Sequence, residues 1–192
     1  MTRRIGILGF DGVSSLQLGE LHDVLGRASN AGISLATMAR YEVMTLGLTA
    51  ATFLTDTGLQ IWPDAAFRGP LDLDTLIIPS GSSPVDPHVL AQLSTRLTKA
   101  VGFIRRFAVI GSSAPALRSC CEGELGLVVA QMSKQGTAAY CVEGVLAGAG
   151  LSPTELGLSF LYDDHGPAVA KRVSKALQRY DGQPARRMGP GG

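Results

Sequence analysis

Phe107-Ala-Val-Ile-Gly-Ser-Ser-Ala-Pro-Ala-Leu117 decides how this chain is read. Phe107 to Ile110 are apolar and rich in β-formers, the pattern of a strand covered on both faces. Gly111 permits backbone angles that other residues avoid, Ser112 or Ser113 can cap the next helix, and Pro115 suits its first turn. A strand–turn–helix of this kind is where many α/β proteins mount a nucleophile, because the turn lifts one side chain clear above the helix N-terminus. Here that position is Gly111, which has no side chain.

Outward from this elbow, strand and helix patterns alternate. Arg4 to Phe10 predicts a first buried strand, Asp11-Gly12 a turn, and Leu16 to Ala28 a helix with an apolar stripe of Leu18, Leu21, Val24 and Leu25. Ile33 to Ala39 and Tyr41 to Leu46 predict one long strand or a strand broken at Arg40. Ala51 to Thr55 and Leu59 to Trp62 flank Asp56-Thr-Gly58 as a hairpin. Leu73 to Ile78 is a further strand, followed by the small-residue loop Pro79 to Pro84, and Asp86-Pro87 opens a helix. After the elbow come a short helix to about Cys120 and two short strands, Leu125 to Met132 and Thr137 to Val142. Ser152-Pro-Thr-Glu155 is a capping box opening a helix to about Tyr162, and Gly166-Pro167 starts the last helix, with Val169, Val173, Ala176 and Leu177 inward. These elements predict one α/β domain over residues 1–182, a three-layer sandwich on a mostly parallel sheet, with a frayed tail over 183–192. Ligands in such folds sit at the carboxyl ends of the strands, here the loops at Asp11-Gly12, Pro79 to Pro84, Gly111 to Ser113 and Gly148 to Gly150.

Composition narrows the classes. An apolar fraction of 45% against 17% charged residues fits a packed domain, and a net charge of +1 offers no global attraction for nucleic acid. No apolar run approaches the ~18 residues that a membrane helix needs, and nothing at the start reads as a signal peptide, so a cytoplasmic protein is expected. Cys120, Cys121 and Cys141 have no metal-ligand spacing, and no metal or cofactor is expected.

Ile5-Gly-Ile-Leu-Gly-Phe-Asp-Gly-Val-Ser-Ser-Leu-Gln-Leu18, Pro63-Asp-Ala-Ala66, Leu73-Asp-Thr-Leu-Ile-Ile-Pro79 and Asp163-Asp-His-Gly166 follow one another in an order and spacing that resemble the ThiJ/PfpI superfamily. That superfamily shares its flavodoxin-like fold with class I glutamine amidotransferases. The nearest branch looks like the isocyanide hydratases and the N-terminal domains of AraC-type regulators. The resemblance covers nearly the whole chain and implies a homodimer. It also marks departures. The elbow cysteine is Gly111, the acid on the first helix is Gln17, and the Pro-Gly-Gly loop reads Pro79-Ser80-Gly81. Thiolate chemistry at the elbow is therefore excluded.

The candidates are polar donors and a few carboxylates. Gln17 is either a pocket amide or the fourth residue of a capping box, Ser14-Ser-Leu-Gln17. Glu20 shares a helix face with Gln17, and Asp11 lies in the preceding turn, so Glu20, Gln17 and Asp11 form the catalytic set of an acid–base reading. His22 and Asp23 face solvent or a partner subunit in the plain alternative. Ser80, Gly81, Ser82, Gly111, Ser112, Ser113 and Tyr140 are the ligand-binding set, offering N–H and O–H groups near a helix N-terminus. Two functions remain open. The preferred one is an enzyme that binds and polarises a small organic molecule by hydration, elimination, isomerisation or cyclisation. The other is a non-catalytic small-molecule sensor of the AraC-type kind, whose helix-turn-helix domain would lie beyond Gly192. Neither involves nucleic acid through this domain, nor a membrane.

Overall fold

The computed structural model describes residues 2–30, 40–68, 72–81, 86–100, 103–110, 113, 140–141 and 152–181. The apolar segments found in the sequence become the strands β1 (Thr2–Gly9), β2 (Arg40–Gly47), β3 (Phe53–Leu54), β4 (Gln60–Ile61), β5 (Ala65–Ala66), β6 (Thr75–Ile78), β7 (Arg106–Val109) and β8 (Tyr140–Cys141). The helices are α1 (Ser15–Asn30), α2 (Pro87–Ala100), α3 (Pro153–His165) and α4 (Pro167–Asp181). Six strands form one sheet in the order β5-β2-β1-β6-β7-β8, parallel throughout except for β8, which runs antiparallel beside β7. This is the mostly parallel sheet that the alternation of elements requires.

β1 lies at the centre, in register with β2 from Thr2 opposite Arg40 to Gly9 opposite Gly47. Its inner half is wholly buried, as are all four residues of β6 and of β7. Continuous burial explains why these strands are apolar runs without alternation. α1 contributes Leu18, Leu21, Val24 and Leu25 to the core, α2 contributes Leu93 and Leu97, and α4 contributes Val169 and Val173. Ala176 and Leu177 reach only half-burial.

Several boundaries differ from the sequence reading. The hairpin is real, but only Phe53–Leu54 and Gln60–Ile61 pair, so its expected strands shorten to two residues each. The sixth strand begins at Thr75 rather than Leu73, although Asp74 N–H already reaches the carbonyl of Arg4 on β1. The capping box at Ser152 forms both of its bonds, Glu155 N–H to Ser152 Oγ at 3.2 Å and Ser152 N–H to Glu155 Oε2 at 2.8 Å. α3 continues past Tyr162 to His165, where Gly166 N–H closes on the Tyr162 carbonyl. β5, a two-residue parallel strand on β2, has no sequence signal of its own length. The strand expected over 33–39, the helix from 114 to 120, Cys120, Cys121, the segment 125–132 and the tail 183–192 lie outside the described residues. Trp62, beyond β4, is 76% exposed.

At the amino edge of the sheet a charged cluster replaces apolar packing. Asp164 on α3 accepts from Arg106 Nη1 at 2.7 Å and Nη2 at 2.5 Å, from Tyr41 Oη at 2.6 Å, and pairs with Arg3. Arg105 joins it at 3.2 Å and holds Asp74 through two bonds of 2.8 and 2.7 Å. Both Arg106 and Asp164 have side chains only 3% exposed, and the Arg106 guanidinium lies 5.0 Å from the Phe160 ring centre. Burial alone would raise the Asp164 carboxyl, but hydrogen bonds from Arg106, Tyr41 and Arg3 outweigh it and hold the pKa down at about 2. A depressed carboxyl pKa stabilises the fold above the unfolded value, ~3.9, and that stability is lost as pH falls toward the folded value. Asp164→Ala leaves Arg106 as a buried unpaired cation and is expected to cost about 3–5 kcal/mol in urea unfolding at pH 7. The wild type should lose stability between about pH 4 and pH 2, and the variant should lack that component.

Candidate functional site

The carboxyl edge is stitched together by backbone and carboxylate hydrogen bonds around Val13. After β1, Phe10 is buried and the chain turns through Asp11-Gly12. Val13 then bridges two loops at once, parallel to Thr55 and antiparallel to Gly81. Gly12 N–H donates to the Leu54 carbonyl at 2.8 Å, and Asp56 N–H to the Val13 carbonyl at 2.9 Å. The first turn of α1 is closed from afar: Ser15 N–H donates to Asp56 Oδ1 at 2.9 Å. That donated bond lowers the Asp56 carboxyl pKa, as expected for an anion at a helix N-terminus. No local motif announces this cap, because its carboxylate is 41 residues away in sequence.

Gln17 takes neither of its sequence readings in simple form. Its backbone N–H does approach Ser14 Oγ, at 3.5 Å. Its side chain does not return to Ser14 N–H, because that donor is bound to the Ser80 carbonyl at 2.8 Å. The carboxamide reaches across instead, and Gln17 Oε1 accepts the N–H of Ser80 at 2.8 Å. Ser14 and Gln17 therefore clamp both backbone groups of Ser80. The next residue must be small. A Cβ on Gly81 would lie 2.8 Å from Phe10 Cε2 and 3.1 Å from the Gly12 carbonyl oxygen.

Of the expected catalytic residues, Asp11 and Gln17 each accept a backbone N–H of a neighbouring loop. Asp11 Oδ1 accepts the N–H of Leu54 at 2.9 Å, so this carboxylate fixes the hairpin rather than joining Gln17. Glu20 is half-buried on α1 and has no partner among the described residues. His22 is not a solvent-facing residue: its Nε2 is 2.8 Å from Thr45 Oγ1, and burial lowers its pKa against the opposing pull of Asp64. Asp23 does face solvent, bridged to Arg27 at 2.8 Å.

The binding set divides likewise. Ser80 and Gly81 sit at the clamp. Ser113 is 3% exposed, and its hydroxyl donates to the Pro79 carbonyl at 2.8 Å, tying the turn after β7 to the loop after β6. Tyr140 is placed opposite Phe107 by the β7–β8 ladder. Gly111, Ser112 and Ser82 lie outside the described residues. His165 is structural as read, buried with its ring 4.8 Å from that of Tyr41, and burial lowers its pKa. Among the described residues no three His, Cys, Asp or Glu side chains gather to hold a metal, and no helix is long and apolar enough to cross a membrane. At this edge the Gln17 carboxamide and the Ser80 backbone are engaged with each other, and Glu20 is an uncommitted acid on the same helix as Gln17.

A mostly parallel flavodoxin-like sheet flanked by helices is the architecture of ThiJ/PfpI and DJ-1 superfamily proteins, and this chain has that fold. No family model matches the sequence, and no curated protein matches it. Among solved structures it is similar to an AraC family transcriptional regulator from Pseudomonas putida, with a TM-score of 0.61 and 17% identity over 91% of this chain and 99% of that one. A ThiJ/PfpI family protein from Pseudomonas syringae gives 0.59 and 20% over 98% and 79%. A DJ-1 superfamily protein from Agrobacterium tumefaciens gives 0.58 and 19% over 94% and 100%. The likeness expected from the sequence motifs therefore holds at the level of the fold.

Removing the clamp should loosen this edge without unfolding the sheet. Gln17→Leu leaves Ser80 N–H without its acceptor and is expected to cost about 1 kcal/mol. Amide hydrogen exchange should accelerate at Ser80, while the amides of β1 and β7 keep wild-type protection. Uniform acceleration across the sheet would show that the clamp is not local.

Proposed function

We propose that this chain binds a small organic molecule at the carboxyl edge of its sheet without covalent chemistry, as a ligand-sensing domain. The observation carrying this reading is the Gln17–Ser80 clamp. Where the resemblance puts an acid, a neutral carboxamide holds the loop backbone at 2.8 Å. With Asp11 bonded to Leu54 N–H, two of the three residues expected to be catalytic serve the scaffold, which disfavours the acid–base enzyme preferred on sequence grounds. Likeness to an AraC family regulator over 99% of that chain supports a sensing role. The homodimer implied by the resemblance belongs to the same proposal. Exposed Leu16 on α1 and Leu54, Leu59 and Trp62 on and around the hairpin support it.

A thermal-shift screen with small neutral amides, nitriles and carbonyl compounds tests the reading. A compound that binds the folded chain should raise the melting temperature, with about 2.7 kcal/mol of stabilisation at a hundredfold excess over Kd. Mass spectrometry after prolonged incubation should recover it unchanged, and Glu20→Gln should leave binding intact. Consumption of the compound by the wild type, abolished in Glu20→Gln, would replace the sensor with an acid–base enzyme.

A further inference from the structure

A hollow of about 140 Å³ opens between the ends of β1 and β2 and the first turns of α2. Gln17, Ser80, Gly81 and Ser113 do not line it, but it adjoins the clamped edge, because Phe10 in its wall lies against Gly81. Its apolar wall includes Phe10 and Phe53, both nearly fully buried. The Phe53 ring comes against the β1 backbone at Gly9, where a Cβ would fall 2.0 Å from its Cζ. That close approach, available only over glycine, puts the Phe53 ring where it can wall the hollow. The size is close to that of a protein cavity of roughly 150 Å³ that accommodates benzene.

The polar side of the hollow is acidic. Asp11 is the charged residue among those lining it. One Asp11 oxygen holds Leu54 N–H at 2.9 Å, and the other has no partner among the described residues. Arg96 stands behind the wall, but its guanidinium is directed at the carbonyls of Leu48 and Phe67 and at Gln92 Oε1. The N-terminus of α2 is capped by Asp86, whose Oδ1 accepts the N–H of His88 at 2.7 Å. Neither positive group lines the hollow.

We propose that this hollow is a second ligand site, which takes a small organic cation with an apolar ring or short chain. The ammonium sits on the free Asp11 oxygen, and the apolar body lies against Phe10 and Phe53. Gln17 and Ser80 do not line the hollow, so unchanged protection of the Ser80 amide in a variant that loses cation binding distinguishes failure of this assignment from failure of the clamp.

Titration of ¹⁵N-labelled protein with benzylammonium, benzyl alcohol and benzoate, which share one ring, tests it. Benzylammonium should shift the amides of residues 10–11, 48–53 and 89–92 saturably, benzyl alcohol more weakly, and benzoate not at all. Asp11→Asn keeps an acceptor for Leu54 N–H and removes the charge, and should raise the benzylammonium Kd about tenfold. Gln92→Lys, at an exposed helix position on the rim, should weaken it as well and serves if Asp11→Asn does not fold. Equal binding of benzoate, shifts confined to another part of the chain, no saturable shift with benzylammonium, or an unchanged Kd in the variants would each overturn the proposal.

Discussion

The Asp164 carboxylate gathers Arg3 from β1, Tyr41 from β2, Arg105 and Arg106 at β7, and α3 around a single buried charge. Three strands that are distant in sequence are thereby fixed at one end. The arrangement is demanding, because burying a guanidinium and a carboxylate is tolerated only when each satisfies the other. Arg106 meets that condition with two bonds to Asp164 and a ring beneath it. The opposite end of the same strands can then be held by weaker means. There most joints are neutral, with Val13 between two loops, Ser80 between Ser14 and Gln17, and Ser113 on the Pro79 carbonyl. The carboxylates of Asp11 and Asp56 hold backbone N–H groups rather than cations. A sheet clamped by charge at its amino edge and laced by amides at its carboxyl edge leaves the ligand-facing loops as the more adjustable end.

What the sequence disclosed follows from which interactions are local. The buried strands show as runs such as Ile5 to Phe10 and Phe107 to Ile110, because burial on both faces removes the polar half of the pattern. The Ser152 capping box was equally legible, since both of its bonds close within four residues. Asp164 was not. Its partners lie between 58 residues away, at Arg106, and 161 residues away, at Arg3, and a buried arginine in a strand runs against the usual composition of strands. Gln17 shows the middle case. Its residue type and spacing identified a helix start, but the acceptor it became was decided by Ser80, 63 residues on. Asp11 and His22 were decided in the same way, each bound to a group on a neighbouring element, Asp11 at the surface and His22 partly buried.

The hairpin has a spectroscopic consequence. The chain contains a single tryptophan, Trp62, and it stands 76% exposed beyond β4. In the single chain its indole is already in solvent before the core opens, so tryptophan fluorescence changes little as that chain unfolds and far-ultraviolet dichroism has to follow it. The same exposure makes Trp62 a native optical reporter for whatever comes to rest on the hairpin, with no competing indole in the core to dilute the signal.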